Sequence, residues 1–460
     1  MKKQAFNPYM PSWEYVPDGE PHVFGERLYV YGSHDIYNGW MFCLGDYICY
    51  SAPLDDLSDW RYEGVIYPKT EDPLNRDGKM NLYAPDVTQG SDGRYYLYYV
   101  LDALDIVSVA VCDTPAGEYK FHGYVQYPDG TLYGRNIAMG DEPQFDPAVL
   151  TEGDVTYLYT GFGRIGDATR HGAMVTTLDK DMLTVLEAPK IIVPNKIYSA
   201  GSGYEGHAFF EAASIRKYNG TYYFVYSSEL FHELCYAVSD KPDEGFAYGG
   251  VLVSNRDINI DTYKPAEKKV AQGGNNHGGL VFANGQYYIF YHRHTNSTSF
   301  SRQGCAEQVY MAEDGSFSQV EMTSCGLNGG PLVGKGYYAS YIACNVFNDK
   351  TEPKLMQDGR DGDEELGYVA NVTRGATVGF KYFEFDGSVD QIKIWTRGYG
   401  NGEVEVKTSL EGDPIARLTI VRSNQWEEAS APISVPCGVH ALYFVFRHEA
   451  TTAFRGFELI

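Results

Sequence analysis

The chain has 460 residues, room for two to four domains at about 150 residues each, and its 43% apolar and 21% charged content excludes wholesale disorder. Lys plus Arg number 37 against 61 Asp plus Glu, a formal charge of −24. A surface this acidic repels phosphate, so neither nucleic acid nor an anionic membrane is expected as a partner. No run approaches the roughly 20 apolar residues of a membrane helix. The opening MKKQAFNPYMPSWEY has no apolar stretch of the secretory kind. The expected location is therefore cytoplasmic for the chain as given, or secreted or periplasmic if a leader has been removed.

The eight cysteines are scattered and form no CxxC pair, so reduced thiols are expected and a thiolate zinc site is not. Glycine is 50 and tyrosine 40 of the 460 residues. Aromatic, alternating runs of five to eight residues recur between Gly, Asp and Asn turns, and long 3.6-residue periodicity is missing. This pattern predicts an all-β protein.

In chain order, five segments share one strand pattern: RLYVYGS at 27–33, RYYLYYV at 94–100, VTYLYTG at 155–161, TYYFVYSS at 221–228 and QYYIFYHR at 286–293. Asp92-Gly93, Asn219-Gly220 and Asn284-Gly285 precede three of them, a strong hairpin signal. Aligned on Tyr29, Tyr96, Tyr157, Tyr223 and Tyr288, the repeats are spaced by 67, 61, 66 and 65 residues. Five units of this length predict a five-bladed β-propeller of four-stranded blades. Counting back from each anchor by 11, 10, 11, 12 and 11 residues reaches Asp18, Asp86, Asp146, Glu211 and His277. Equal phase in a propeller sends these side chains toward one end of the central axis, and so many acids in one pocket are electrostatically costly.

Two carboxyl groups with different proton affinities are the equipment of glycoside hydrolysis. Asp18 lies in the polar run Pro17-Asp18-Gly19-Glu20, which suits an ionised base. Glu211 lies in Phe209-Phe210-Glu211-Ala212-Ala213, an apolar setting that raises a carboxyl pKa and suits an acid. Asp146, in Gln144-Phe145-Asp146-Pro147, is placed to orient and perturb Glu211. Glu20, Asp141, Glu142 and Glu205 are out of phase and read as rim or supporting groups. Trp13, Tyr15, Trp40, Tyr83 and Phe162 are candidates to stack on sugar rings at the channel mouth.

These segments resemble glycoside hydrolase family 43, inverting five-bladed propeller enzymes, over roughly residues 7 to 335. The carriers are Asn7-Pro8, Pro17-Asp18-Gly19-Glu20-Pro21-His22, Tyr31-Gly32-Ser33-His34-Asp35, Tyr83-Ala84-Pro85-Asp86-Val87, Phe145-Asp146-Pro147-Ala148-Val149, Phe210-Glu211-Ala212-Ala213-Ser214-Ile215-Arg216-Lys217, Asn276-His277-Gly278 and Tyr291-His292-Arg293. The resemblance implies Asp18 as general base, Asp146 as modulator and Glu211 as general acid. It implies substrate contacts from Asp86 and His277, with Asp86 bracing the pocket as its other reading. Trp40, Tyr83 and Phe162 are further candidate contacts by their loops, and Arg302 is another, with a surface or inter-blade salt bridge as its alternative. It also implies calcium in the channel, held through water by His277, and no organic cofactor. The implied substrates are oligo- or polysaccharides of xylan or arabinan type, from which arabinofuranosyl or xylosyl units are released. The alternatives are a non-catalytic sugar-binding propeller and a five-bladed hydrolase for another sugar; the Asn-Asp-Pro-Asn and Glu-Cys motifs of fructosidases are absent. Many relatives have Pro where this chain has Gly19, and Glu-Gly-Pro where it has Glu211-Ala212-Ala213.

The propeller is expected to span 1–335, a linker or exposed loop 336–366, and a β-sandwich of jelly-roll type 367–460, built from runs such as ATVGFKYFEF, QIKIWTR and ALYFVFR. By its position it resembles a family 6 carbohydrate-binding module, with Trp395 and Trp426 as the candidate sugar-stacking aromatics.

Overall fold

A computed structural model describes residues 3–296, 298–348, 356–357 and 367–460. Four antiparallel four-stranded sheets follow in chain order, each running outward from the axis strand by strand. Blade 1 comprises Glu20–Phe24, Arg27–Tyr31, Tyr47–Pro53 and Arg61–Tyr67; blade 2 comprises Asp86–Gln89, Tyr95–Tyr99, Ser108–Cys112 and Lys120–Tyr124. Blade 3 comprises Ala148–Glu152, Val155–Thr160, Gly172–Leu178 and Lys190–Pro194; blade 4 comprises Phe209–Tyr218, Thr221–Ser228, Glu233–Ser239 and Ala247–Ser254. All five anchor tyrosines fall on the second strand of their blade, as the repeat predicts. Asn219-Gly220 and Asn284-Gly285 take positive φ at both residues, the geometry of the tight hairpins they announce.

Blade 5 corrects the expectation of four strands: among the described residues it has three, Leu280–Ala283, Gln286–His294 and Arg302–Val309. The edge beyond them is taken by the chain's own beginning. Tyr9 N–H donates to the Gly304 carbonyl at 3.3 Å, and the Asn7 amide bonds Ala306 N and O at 2.9 and 2.8 Å. The N-terminal segment thus covers an edge that would otherwise be left unpaired.

The tyrosine content has a structural reason. Separate apolar clusters fill the seams between neighbouring blades. Across four seams a tyrosine hydroxyl donates to a carbonyl of the next blade: Tyr31 to Pro115, Tyr98 to Met182, Tyr159 to Pro242 and Tyr223 to Gly315, at 2.6–2.8 Å. A ring fills the seam and its hydroxyl finds a partner, which buried tyrosine requires. All eight cysteines are free.

The C-terminal part is two facing sheets over a core that includes Phe380, Phe444, Phe454 and Phe457. One sheet orders Leu332–Val333, Ala376–Phe385, Gly438–Glu449, Asn401–Lys407 and Ala416–Ile420, with Asn345–Asn348 also on Ala376–Phe385. The other orders Met356–Gln357, Val369–Val372, Thr452–Leu459, Gln391–Gly398 and Ser423–Pro432, with Gly336–Ala339 also on Thr452–Leu459. The boundary therefore moves: residues 332–348, read from sequence as propeller end and linker, supply strands to both sandwich sheets. Of the remaining linker, 349–355 and 358–366 lie outside the described residues. Trp395 and Trp426 sit on strands, edge-on to Tyr337 and Tyr368, with Arg397 over the Trp426 ring at 4.4 Å. They do not form the loop-borne aromatic pair that the resemblance implies.

The two parts are joined by a buried charge. Lys381 of the sandwich is fully buried and contacts Asp257 at 3.1 Å and Glu321 at 2.9 Å, both from the propeller, over the Tyr263 ring. Removing one member of such a group strands the others without a partner. Lys381→Ala is expected to destabilise the chain by about 3 kcal/mol, seen as a lower denaturation midpoint, whereas Lys393→Ala, at a half-exposed surface pair, leaves it nearly unchanged.

Candidate active site

At one end of the axis lies a cavity of about 410 Å³. Asp18, Asp146 and Glu211 all line it, with His277 and Arg302, inside a wall that includes Phe42, Tyr83, Phe145, Phe162, Phe210 and Phe231. Repeat phase alone placed the three acids together. Each is delivered by the inner strand of its blade or the residues just before it. Asp18 and Asp146 precede the inner strands of blades 1 and 3 with φ of 57° and 43°. Glu211 lies where the register of the blade-4 inner strand shifts on both sides of it, and Ala212 follows at φ 68°. That bulge re-aims the side chain into the cavity. The left-handed backbone costs Ala212 about 1 kcal/mol, and its N–H donates to Asp146 Oδ2 at 3.0 Å, so the turn also couples the two acids.

The electrostatic settings of the acids differ. Burial alone would raise the Asp18 pKa. Arg302 Nη1, 2.9 Å from Asp18 Oδ1, and His292 outweigh burial and hold this carboxyl well below the usual range. Arg302 is itself fixed by Asp35, through Nε at 2.8 Å and Nη2 at 2.9 Å, with its guanidinium 4.8 Å from the Phe42 ring. His292 Nε2 lies 2.8 Å from the Asn275 carbonyl, and Nδ1 lies 3.3 Å from both Asp18 N and Asp18 Oδ1. Among the described residues Glu211 has no ion-pair partner: burial first, then Asp146, push it up to about 8 against the pull of His277. Burial and Asp18 raise Asp146 to about 6, against the pull of His277. Burial opposes the charge on His277, but Glu20, Asp146 and Asp18 prevail and raise it to about 9. One carboxyl of the cavity is thus held ionised and another held protonated at neutral pH.

The residues below and around the cavity correct several expectations. Asp86, expected to touch substrate, is fully buried off the cavity, bonding His22 Nε2 at 2.6 Å and Val149 N–H at 2.8 Å. It braces the channel, because both its oxygens are spent on protein. Trp40 is 76% exposed and does not line the cavity, where Phe42 from the same loop does. Tyr15 is core and Trp13 half exposed. Tyr83, Phe162, His277 and Arg302 do line the cavity, though the Arg302 guanidinium is committed to Asp18 and Asp35. Glu20, read from sequence as a rim or supporting group, is fully buried in the channel, which fits the supporting role and not the rim. Among the described residues two clusters have metal-ligand spacing, His207-Glu233-Cys235 and Glu20-His22-Asp86. The first is closed by a 2.6 Å contact between His207 Nδ1 and Glu233.

The family model for glycosyl hydrolases family 43 matches residues 20–317. The chain belongs to glycoside hydrolase family 43. A xylosidase/arabinosidase from Thermoclostridium stercorarium is 61% identical over the whole chain and 99% of that relative. A xylosidase/arabinosidase from Bacteroides ovatus is 30% identical, over 62% of this chain and 87% of that protein. Among solved structures, the arabinoxylan arabinofuranohydrolase of Bacillus subtilis, a family 43 enzyme, superposes over 98% of this chain and 97% of its own with TM-score 0.54 at 20% identity. A family 43 β-xylosidase/α-arabinofuranosidase from a compost metagenome, described as a calcium-free form with xylotriose, covers 68% of this chain and 97% of its own with TM-score 0.51 at 26% identity.

Within this family 43 chain, sequence reasoning gave no role to Asp35, His292, Asn275 or the phenylalanines Phe42, Phe145, Phe210 and Phe231. Asp35 and His292 lie inside motifs that were visible, but their partners are 267 and 274 residues away. Only the ring brings them together.

The raised Glu211 pKa has a stability consequence. Above the unfolded carboxyl value near 4.5 the unfolded chain gives up its proton while the folded one keeps it, so the folded state is progressively disfavoured up to about pH 8. Glu211→Gln keeps the shape without that cost. It is expected to raise the denaturation midpoint at pH 8, by about 4 kcal/mol of stability, and to have little effect at pH 5.

Proposed function

We propose that this protein is an inverting exo-glycosidase that releases xylosyl or arabinofuranosyl units from plant cell-wall glycans or their oligosaccharides. One observation carries the reading: the cavity holds Asp18 ionised against Arg302 and Glu211 protonated by burial, on one wall of aromatic rings. The cavity volume falls within the range of small-ligand sites, about 300–1,000 Å³, and aromatic faces suit sugar rings. The family and the xylosidase/arabinosidase named among its relatives support the sugar class.

In this mechanism Asp18 accepts a proton from water as that water attacks the anomeric carbon. Glu211 gives its proton to the glycosidic oxygen as the bond to the leaving sugar breaks. Displacement from the opposite face inverts the anomeric configuration. Asp146 is a positioning residue: it accepts from Ala212 N–H beside Glu211, and its charge helps keep the acid protonated. Arg302 and His292 keep the base ionised.

The calcium implied by the resemblance meets a donor set that does not suit it. Calcium takes about six to eight oxygen ligands, water included, and beside His277 nearly all of them would have to be water. His277 Nε2 is faced at 3.7 Å by one carboxylate oxygen, Glu20 Oε1, while Glu20 Oε2 already accepts from Ser214 and Arg216. No step of the mechanism runs through a metal.

Activity on aryl xyloside and aryl arabinofuranoside tests the reading, with the anomer released followed by NMR. Glu211→Ala is expected to lose about 10²–10³-fold on a natural disaccharide and much less on an aryl glycoside with a good leaving group, which needs little protonation. Asp18→Ala is expected to be severely impaired on both. If the leaving-group dependence appears in Asp18→Ala instead, the two roles are reversed; retention of configuration would overturn inversion.

The pH profile supplies a second check. kcat/KM should hold through neutrality and fall above about pH 8, as the free enzyme's Glu211 loses its proton. Asp146→Asn, by removing a like charge, should move that basic limb to lower pH.

A further inference from the structure

Directly beneath the cavity, buried groups from all five blades meet. Blade 1 gives Glu20 and His22, blade 2 Asp86, blade 3 the Val149 N–H, blade 4 Ser214 and Arg216, and blade 5 His277. Arg216 is the fixed cation of this group. Its Nη2 donates to Glu20 Oε2 at 2.8 Å and to the Pro21 carbonyl at 2.8 Å, and lies 3.3 Å from His22 Nε2. Nη1 donates to the Ile215 carbonyl at 2.6 Å. His22 in turn meets Asp86 at 2.6 Å.

The ligand atoms of Glu20, His22 and Asp86 lie within 4.8 Å of one another, a spacing that could hold an ion. The guanidinium stands among them, on two of the three. An arginine cannot surrender its charge, so a divalent ion there would meet a fixed positive charge within the contact distance of its own ligands. The packing is built around this arrangement. A Cβ on Gly279 would fall 2.5 Å from Ser214 Oγ and 2.6 Å from Glu20 Oε2, so only glycine lets blade 5 come this close.

The other oxygen of Glu20 points at His277, and His277 Nδ1 lies 3.7 Å from Asp146 Oδ2, the acid that neighbours Glu211. The line from Arg216 to the reacting groups is therefore short: Arg216, Glu20, His277, Asp146. We infer that Arg216 is a built-in counter-ion that takes the place of a divalent cation in the channel and, through Glu20 and His277, positions Asp146 behind the acid, so that the enzyme works without metal. This rests on the glycosidase reading above. It makes Arg216 a positioning residue that never touches substrate.

The test compares the wild-type chain with Arg216→Met and Arg216→Lys. Wild type dialysed against EDTA is expected to keep its kcat and KM, to gain nothing from added calcium, magnesium or manganese, and to show no heat of calcium binding by calorimetry. Arg216→Met is expected to lose about tenfold or more in kcat with KM little changed. Its loss should be larger on a natural disaccharide than on an activated aryl glycoside, because the defect reaches the acid. Arg216→Lys, which keeps the charge, should recover part of kcat. Loss of wild-type activity in chelator with recovery in calcium, or calcium binding to wild type, would overturn the inference, as would wild-type kcat in Arg216→Met. If Arg216→Met does not fold, the chelation and calorimetry of wild type and the kcat of Arg216→Lys still decide it. A wild type inert on every glycoside would instead strike the function reading, and calorimetry would then test the counter-ion alone.

Discussion

The constraint on which this protein depends is the crowding of like charges at a propeller axis. Asp18, Glu20, Asp86, Asp146 and Glu211 come from four blades to one channel and the cavity above it, and most are fully or nearly buried. Buried carboxylates without partners would be untenable. The fold answers with cations placed unevenly. Arg302 goes to Asp18, Arg216 to Glu20, and His277 lies between Glu20 and Asp146. Glu211 is left, among the described residues, without an ion-pair partner. The unevenness is the source of the chemistry, since it separates the proton affinities of groups that would otherwise titrate alike.

Each counter-charge is also a structural tie. Arg302 belongs to blade 5 and binds two acids of blade 1, so the seam that closes the ring is the one that fixes the base. The same seam carries the N-terminal segment along the outer strand of blade 5 and the parallel bridge between Gly19 and Gly278 at the axis. Closure of the ring and ionisation of Asp18 are thus one event in physical terms. On the far side of blade 5 the sandwich is anchored by Lys381 and by Val346 N–H to the Val270 carbonyl, which makes it part of the frame.

Much of this was legible in the sequence because a propeller is periodic. The tyrosines of the second strands recur at a nearly fixed interval because each blade repeats one strand plan, and in blades 1 to 4 one of them reaches across the seam to the next blade. Residues a fixed number of positions before them must therefore return to the same radius and height. That argument found Asp18, Asp146, Glu211 and His277 at the cavity, and it found Asp86 in the channel. It could not see that Asp86 sits deeper than the others, since depth along the axis depends on where each inner strand begins. Asp86 is the first residue of its strand, whereas Asp18 and Asp146 precede theirs and Glu211, inside its strand, is turned into the cavity by the bulge.

What the sequence determined by itself was local and repetitive: strands, hairpins, the number of blades and the phase of the acids, each set by side-chain alternation and turn residues within a span of about 65 residues. The tertiary structure alone decided which acid keeps its proton, because that depends on the partners of each carboxyl, and Arg302 is 284 residues from Asp18. It also decided that blade 5 is finished by the N-terminal segment, that residues 332–348 belong to the sandwich, and that Arg216 stands among Glu20, His22 and Asp86. Charge acts through space with no regard for chain order, so its arrangement appears only once the ring is closed.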